Sequence, residues 1–281
     1  MSASLSDLLL PERLTEVVDI GANPIDSEPP YAAMLKAGLC RVTGFEPQAQ
    51  ALRELQQAKG PNETYLSYAV GDGRVHTLNH CFGPGMTSLL EPDPATLELF
   101  DFLKSLAKIN EREQVQTRAL DDISEIQRLD FLKIDIQGGE LAVFLGGAAR
   151  LSQAVAIQTE VSFVTLYKHQ PSLGDIDLDL RRRGFLPHCL AAVKRFPIAP
   201  CVIDRDPYRP LNQLLEADIV YVRDFSRPDL MSDEQLKHLA LIAHHCYGSF
   251  DLALRCVMLL ERRNVLQPGT QRLYLELVAS K

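Results

Sequence analysis

Val17-Val18-Asp19-Ile20-Gly21-Ala22-Asn23 runs apolar and β-branched until it meets an acid and a glycine. A parallel strand buried on both faces has this composition, and the glycine marks its functional carboxyl end. Two further segments stop in the same way: Val42-Thr43-Gly44-Phe45-Glu46-Pro47 and Asp130-Phe131-Leu132-Lys133-Ile134-Asp135-Ile136-Gln137-Gly138-Gly139-Glu140. Ligands of doubly wound sheets sit outside such ends, near the point where the strand order reverses. The three segments therefore predict one cleft. A glycine turn followed one βα unit later by an acid predicts a nucleoside in it, and sites for both NAD and S-adenosylmethionine (SAM) use that pair.

Period and punctuation carry the pattern outward. They predict a leading helix near 4–10, a strand at 16–21, a helix over 30–38 closed by Gly38, a strand at 40–46 and a helix over 47–58 opened by Pro47. A third strand, 65–70, stops at Gly71-Asp72-Gly73. Residues 75–118 interrupt the alternation as an insertion, with strands at 75–81 and 114–119, a Gly/Pro loop at 83–94 and a helix over 94–108. The core resumes with strand 130–135, helix 139–150, strand 154–161, helix 173–183, strand 185–193, a loop rich in Pro and Arg at 197–210 and strand 218–223. That last strand follows the sixth after only a loop, so it pairs antiparallel. The expected class is α/β, a doubly wound, mostly parallel seven-stranded sheet with one reversed strand.

Composition shifts beyond Ser226-Arg227-Pro228, which divides the chain into a domain at 1–228 and a C-terminal helical extension at 229–281. Two amphipathic helices are expected there, broken at Tyr247-Gly248-Ser249, with Ser232 and Ser249 as N-caps and Glu234 reinforcing the first. They either dock on the sheet or mediate self-association.

The 281 residues suffice for one large α/β domain and a small extension. Apolar residues make up 46% and charged ones 23%, the balance of an ordinary globular chain. No apolar stretch approaches the ~20 residues of a membrane span, and the N-terminus carries no basic n-region, so a cytoplasmic protein without a membrane partner is expected. A net charge of −8 argues against nucleic acid, whose recognition needs clustered Lys and Arg. Arg181-Arg182-Arg183 precedes Gly184 and reads as the last turn of a helix. Six cysteines without a CxxC spacing read as reduced thiols.

Gly21 lets backbone approach a ligand, and the amides after it are expected to face the ligand's polar groups. The GxGxxG of a dinucleotide site is absent, since Pro24, Ile25 and Asp26 follow Asn23. Pyrophosphate needs that fingerprint and SAM does not. Glu46 stands where a carboxylate accepts from both ribose hydroxyls, or else serves the dipole of the helix at Pro47. Asp72 is placed for an adenine amino group, or simply makes a Gly-Asp-Gly turn. Lys133 and Asp135 alternate onto one face of an apolar strand, a costly arrangement unless paired or functional. Glu140 and Glu160 complete three acids around one mouth, suited to taking a proton from a hydroxyl or sharing a divalent cation, unless they serve a helix dipole and a strand end. His169 is a general-base candidate or a surface histidine. His76, His80 and Cys81 lack a third well-placed ligand, so zinc is not expected.

Residues 17–225 resemble the FkbM family of SAM-dependent methyltransferases. The resemblance rests on Val18-Asp19-Ile20-Gly21-Ala22-Asn23, Gly44-Phe45-Glu46-Pro47, Thr117-Arg118-Ala119-Leu120-Asp121-Asp122 and above all Phe131 to Leu141. Ile157-Gln158-Thr159-Glu160-Val161-Ser162-Phe163, Tyr167 and Gln170-Pro171 extend it. It implies a Rossmann-like class I methyltransferase fold, with residues 19–23 holding the methionine part of SAM, Glu46 the ribose and Asp72 the adenine. It also implies O-methylation of a sugar, polysaccharide or secondary metabolite; a divalent metal is allowed by the three acids but not expected. Asp135 would orient or deprotonate the acceptor, aided by Glu160 or His169. The chain departs from the family at Pro24, where a glycine is usual. A non-catalytic SAM-fold binding module and an NAD-dependent oxidoreductase are the competing readings.

Overall fold

A computed structural model describes residues 4–23, 28–206 and 208–279. The strands described are β1 (Thr15–Ile20), β2 (Cys40–Phe45), β3 (Glu63–Leu66), β4 (Ala69–Gly71), β5 (Val75–Cys81), β6 (Ile109–Ala119), β7 (Phe131–Ile134), β8 (Ala156–Ser162), β9 (Phe185–Arg195) and β10 (Leu214–Arg223). The helices are α1 (Leu5–Leu9), α2 (Ala32–Lys36), α3 (Ala49–Ala58), α4 (Pro94–Leu97), α5 (Asp101–Leu106), α6 (Glu140–Leu145), α7 (Ala148–Gln153), α8 (Leu173–Arg182), α9 (Asp233–Tyr247), α10 (Phe250–Arg262) and α11 (Thr270–Ala279).

Seven strands form the main sheet in the order β3-β2-β1-β7-β8-β10-β9. Its order reverses between β1 and β7, which pair in parallel with Asp19 opposite Lys133. Only β10 runs against its neighbours β8 and β9. The fold is thus the doubly wound, mostly parallel sheet with one reversed strand that the sequence predicts.

Alternation along the strands divides the core in two. Val17, Val42, Phe131 and Val220 face α2 and α9, whereas Val18, Ile20, Leu132, Ile134 and Ile157 face Val143 and Phe144 of α6 and Leu180 of α8. No helix among the described residues is long and apolar enough to cross a membrane.

The expected strand at 65–70 is in fact two. Its first part stays in the main sheet, and after Ser67-Tyr68 the chain crosses into a second sheet of order β4-β6-β5. Tyr68 occupies the break, with its ring stacked on Phe45 at 6.3 Å and under the Arg118 guanidinium at 3.5 Å. The expected helix over 139–150 also divides, because Gly146 packs against the Gly71 carbonyl and Asp121 caps a new helix by accepting from Ala149 and Arg150 N–H at 2.9 and 2.8 Å.

The boundary drawn at 228 does not separate two packing units. Leu236, Leu239, Leu241 and Ile242 of α9 are at most 1% exposed and share the core of β1, β2 and β7. At the opposite end from the strand tips, His238 Nδ1 lies 2.9 Å from Thr15 Oγ1 and Glu234 accepts Glu12 N–H at 2.8 Å. Glu234 is therefore spent on the N-terminal segment, and Gln235 instead closes the capping box with Ser232. Ser249 does not cap α10; its hydroxyl meets His188 at 2.7 Å. Burying each large aliphatic side chain contributes about 1.5–3 kcal/mol, so the four from α9 rival a typical net stability of about 5–15 kcal/mol. Residues 1–228 expressed alone are expected to show no cooperative urea transition. A cooperative transition like that of the full chain would show that α9 is dispensable.

Candidate functional site

The carboxyl ends of β1, β2 and β7 open into a cleft of about 680 Å³. Gly21 turns the chain out of β1 with φ +79°, and a Cβ there would lie 2.0 Å from the Asp135 carbonyl oxygen. The two strand ends approach so closely that only glycine fits. The Gly21 and Ala22 amides both donate to Phe45 O, at 3.0 and 3.1 Å, so they close the strand ends and do not face a ligand as the sequence suggests. Asn23 lines the cleft, and Pro24 lies outside the described residues.

Asp19 is 2% exposed, accepts the Tyr31 hydroxyl at 2.6 Å and faces Lys133 Nζ at 3.5 Å. Burial pushes its pKa up against the pull of Lys133 and Tyr31. Lys133 donates to Gly21 O at 3.1 Å. Burial disfavours its charge, but Asp19, Asp135 and Asp218 outweigh that and hold its pKa above the ordinary lysine value. Glu46 is buried at the cleft wall, its pKa raised by burial, with Oε1 accepting Gln48 N–H at 2.7 Å.

Asp135 lines the cleft and accepts from Gln137 Nε2 at 2.9 Å. The same nitrogen donates to Glu160 at 2.8 Å. Glu160 lies one layer behind the cleft and also receives Lys194 Nζ at 3.0 Å, with Glu216 3.4 Å from that ammonium. Burial and the neighbouring Asp135 and Glu216 carboxylates push the Glu160 pKa well up. The polar row continues across the sheet face through Gln158 and Asp218 to Lys194, all lining the cleft. The end of α9 closes its floor, where the Tyr247 hydroxyl donates to Gln158 at 2.9 Å.

Three candidates sit elsewhere. Glu140 is buried, and its Oε1 accepts Ile136 and Gly138 N–H at 3.0 and 3.2 Å, shaping the loop after β7 without reaching the cleft. Asp72 does not line the cleft; its carboxylate meets His76 at 2.7 Å and Arg74 N–H at 3.0 Å. His169 is an exposed turn residue with φ +60°. Of the three acids expected around one mouth, only Asp135 lines the cleft, and among the described residues no three His, Cys, Asp or Glu converge as a metal site. Gly85, Thr87, Ser88 and Leu89 line the cleft, while Met86 packs beneath against Tyr167.

Burial pushes the Glu140 pKa up to about 7. An acid whose pKa is raised on folding adds stability below its unfolded pKa and loses that contribution as pH rises through the folded value. Between pH 5 and pH 8 this group is expected to lower stability by about 3 kcal/mol. Glu140→Gln keeps the acceptor oxygen and removes the titration, so its urea midpoints at the two pH values should differ less than those of wild type. Equal pH dependence in both would contradict this account.

No site role is assigned from the sequence to Gln137, Gln158, Lys194 or Tyr247. Gln137 and Gln158 stand inside the stretches that carry the resemblance, which is a usable signal. Lys194 and Tyr247 join them only through the pairing of β8, β9 and β10 and the docking of α9, which no local pattern reveals.

A family model described as the methyltransferase FkbM domain matches residues 19–187. No curated protein matches the chain. Among solved structures, the chain is similar to magnesium protoporphyrin IX methyltransferase from Synechocystis PCC 6803 with bound SAM, at 12% identity, 75% of this chain, 70% of that one and a TM-score of 0.39. It is also similar to precorrin-6y C5,15-methyltransferase from Geobacter metallireducens GS-15, at 14% identity, 78% and 85% coverage and a TM-score of 0.35.

Proposed function

We propose, from the premise that this chain belongs to the FkbM methyltransferase family, that it transfers the methyl group of SAM to a hydroxyl of a sugar, polysaccharide or secondary metabolite. One observation carries the reading: Asp19, Glu46 and Asp135 line a single cleft that continues past Asp135 to Gln158, Asp218 and Lys194, leaving space for an acceptor beside a nucleoside.

The residues present fit SAM. Glu46, fixed by Gln48, offers a carboxylate for the ribose hydroxyls, and the buried Oδ1 of Asp19 has no hydrogen-bond partner among the described residues, although Lys133 stands beside it. Asp19 suits the ammonium of the methionine part and Lys133 its carboxylate. When bound, SAM supplies an electrophilic methyl on a sulfonium whose positive charge disappears as the thioether leaves.

The chain's own part is alignment and proton transfer. Asp135, at the tip of β7, accepts a hydrogen bond from the acceptor hydroxyl and takes its proton as the oxygen attacks. Lys133 places positive charge near Asp135, and Gln137 fixes the carboxylate. The Ser88 loop excludes water on one side and Tyr247 bounds the other. Holding the acceptor oxygen in line is worth up to about 7–11 kcal/mol, more than the roughly 3–5 kcal/mol of one general base. A small-molecule or glycan acceptor suits the net charge of −8 better than nucleic acid does.

Calorimetry with SAM, S-adenosylhomocysteine and NAD, followed by mass spectrometry of reactions with sugar and metabolite panels with and without EDTA, tests the proposal. SAM binding with a methylated product insensitive to EDTA is expected. Preference for NAD, or tight SAM binding without turnover on any acceptor, would favour an oxidoreductase or a binding module instead.

A further inference from the structure

Resting on the assignment of Asp135 as the group that meets the acceptor, we propose that Gln137 is a positioning residue whose side-chain amide holds the Asp135 and Glu160 carboxylates in place before any acceptor arrives. The two hydrogens of one NH2 group are divided between them: Nε2 lies 2.9 Å from Asp135 Oδ1 and 2.8 Å from Glu160 Oε2. The amide nitrogen faces the two carboxyl groups and its oxygen the Tyr167 hydroxyl at 3.1 Å, a hydroxyl that also lies 3.1 Å from Met86 O. Tyr167 is 1% exposed and cannot swing away.

The backbone at this position argues for the side chain. Gln137 has φ +58°, a region that favours glycine and strains other residues. Ser88 Oγ holds that conformation by donating to Gln137 O at 2.7 Å. Backbone economy would select glycine here, as at Gly138 next door with φ +101°. The glutamine is explained by the three contacts of its amide.

Gln137 also links two parts of the site. Glu160 passes the row on to Lys194 and Glu216, while Ser88 belongs to the loop over the cleft. Without the amide, Asp135 and Glu160 face each other across a gap with no donor between them. Asp135 then loses the donor that fixes its carboxylate toward the acceptor, and nothing separates it from the raised-pKa carboxyl of Glu160.

Gln137→Met keeps the Cβ and length and removes both donors; Gln137→Glu keeps the shape and adds a third acid. The test follows the 13C carboxyl signals of labelled Asp and Glu in SAM-loaded protein, with the Asp135 signal identified by its loss in Asp135→Asn. In both variants the Asp135 carboxyl signal should move from its wild-type position at one fixed pH, because the hydrogen bond from Nε2 is gone. With an acceptor in hand, kcat should fall about 10- to 100-fold with KM for SAM little changed. A purely structural loss would weaken SAM binding as well. If either variant fails to fold, the other decides, and Tyr167→Phe should move the same signal less. Asp135 and Glu160 signals identical to wild type in the folded variants would overturn the proposal. Failure of the wild type to bind SAM in calorimetry would instead sink the methyltransferase reading, and the signals of unloaded protein would still judge Gln137.

Discussion

Asp135→Asn is expected to lower kcat for methyl transfer by about 10²- to 10⁴-fold while the Kd for SAM changes by no more than about threefold. The amide matches the carboxylate in size and keeps an oxygen for Gln137, so the cleft retains its shape. It loses the basicity that accepts the acceptor's proton. The effect falls on kcat because the proton moves as the oxygen attacks, not when the cofactor binds. Residual turnover above the uncatalysed rate is part of the expectation, since alignment of the acceptor survives the change. Isothermal calorimetry and initial rates under saturating SAM measure the two halves. Full turnover with unchanged SAM binding would remove Asp135 from the chemistry.

Gly21→Ala is expected to be the most disruptive single methyl group in the site. The added carbon would meet the Asp135 carbonyl oxygen at 2.0 Å, far inside any contact that real side chains make. Backbone must move, because neither partner is the free end of a side chain. The left-handed conformation at φ +79° adds about 1–2 kcal/mol for a non-glycine residue, and overpacking typically adds about 1–3 kcal/mol. A loss of about 2–5 kcal/mol in urea unfolding should accompany a fall of at least about tenfold in SAM affinity. Wild-type stability together with wild-type affinity would mean that β1 and β7 do not approach as described.

These two residues also show what the sequence carries. Gly21 and Asp135 are legible because each ends an apolar strand, and a strand's end is a local event. Asp19, Glu46 and Lys133 follow by the same logic and do line one cleft. The seven-stranded sheet was legible too, since alternation of strand and helix nearly dictates a parallel order and a 196–213 connection that reads as loop alone dictates the reversed strand. Asp72 lies off the cleft because the strand carrying it leaves the main sheet at Tyr68, whose ring stacks on Phe45 and lies under Arg118. Glu140 looked like a third acid at the mouth, yet its carboxylate serves two amides of its own loop. The C-terminal helices read as an appendage because their amphipathic pattern says that one face is buried but not against what. In the structure α9 covers the lower half of one sheet face, and its last turn brings Tyr247 to the floor of the cleft.

A crystal structure with S-adenosylhomocysteine tests the central claim most directly. The ribose hydroxyls should lie on the Glu46 carboxylate, the methionine part beside Asp19 and Lys133, and the sulfur should point toward Asp135. A nucleoside lodged outside this cleft, or a sulfur directed away from Asp135, would contradict the account.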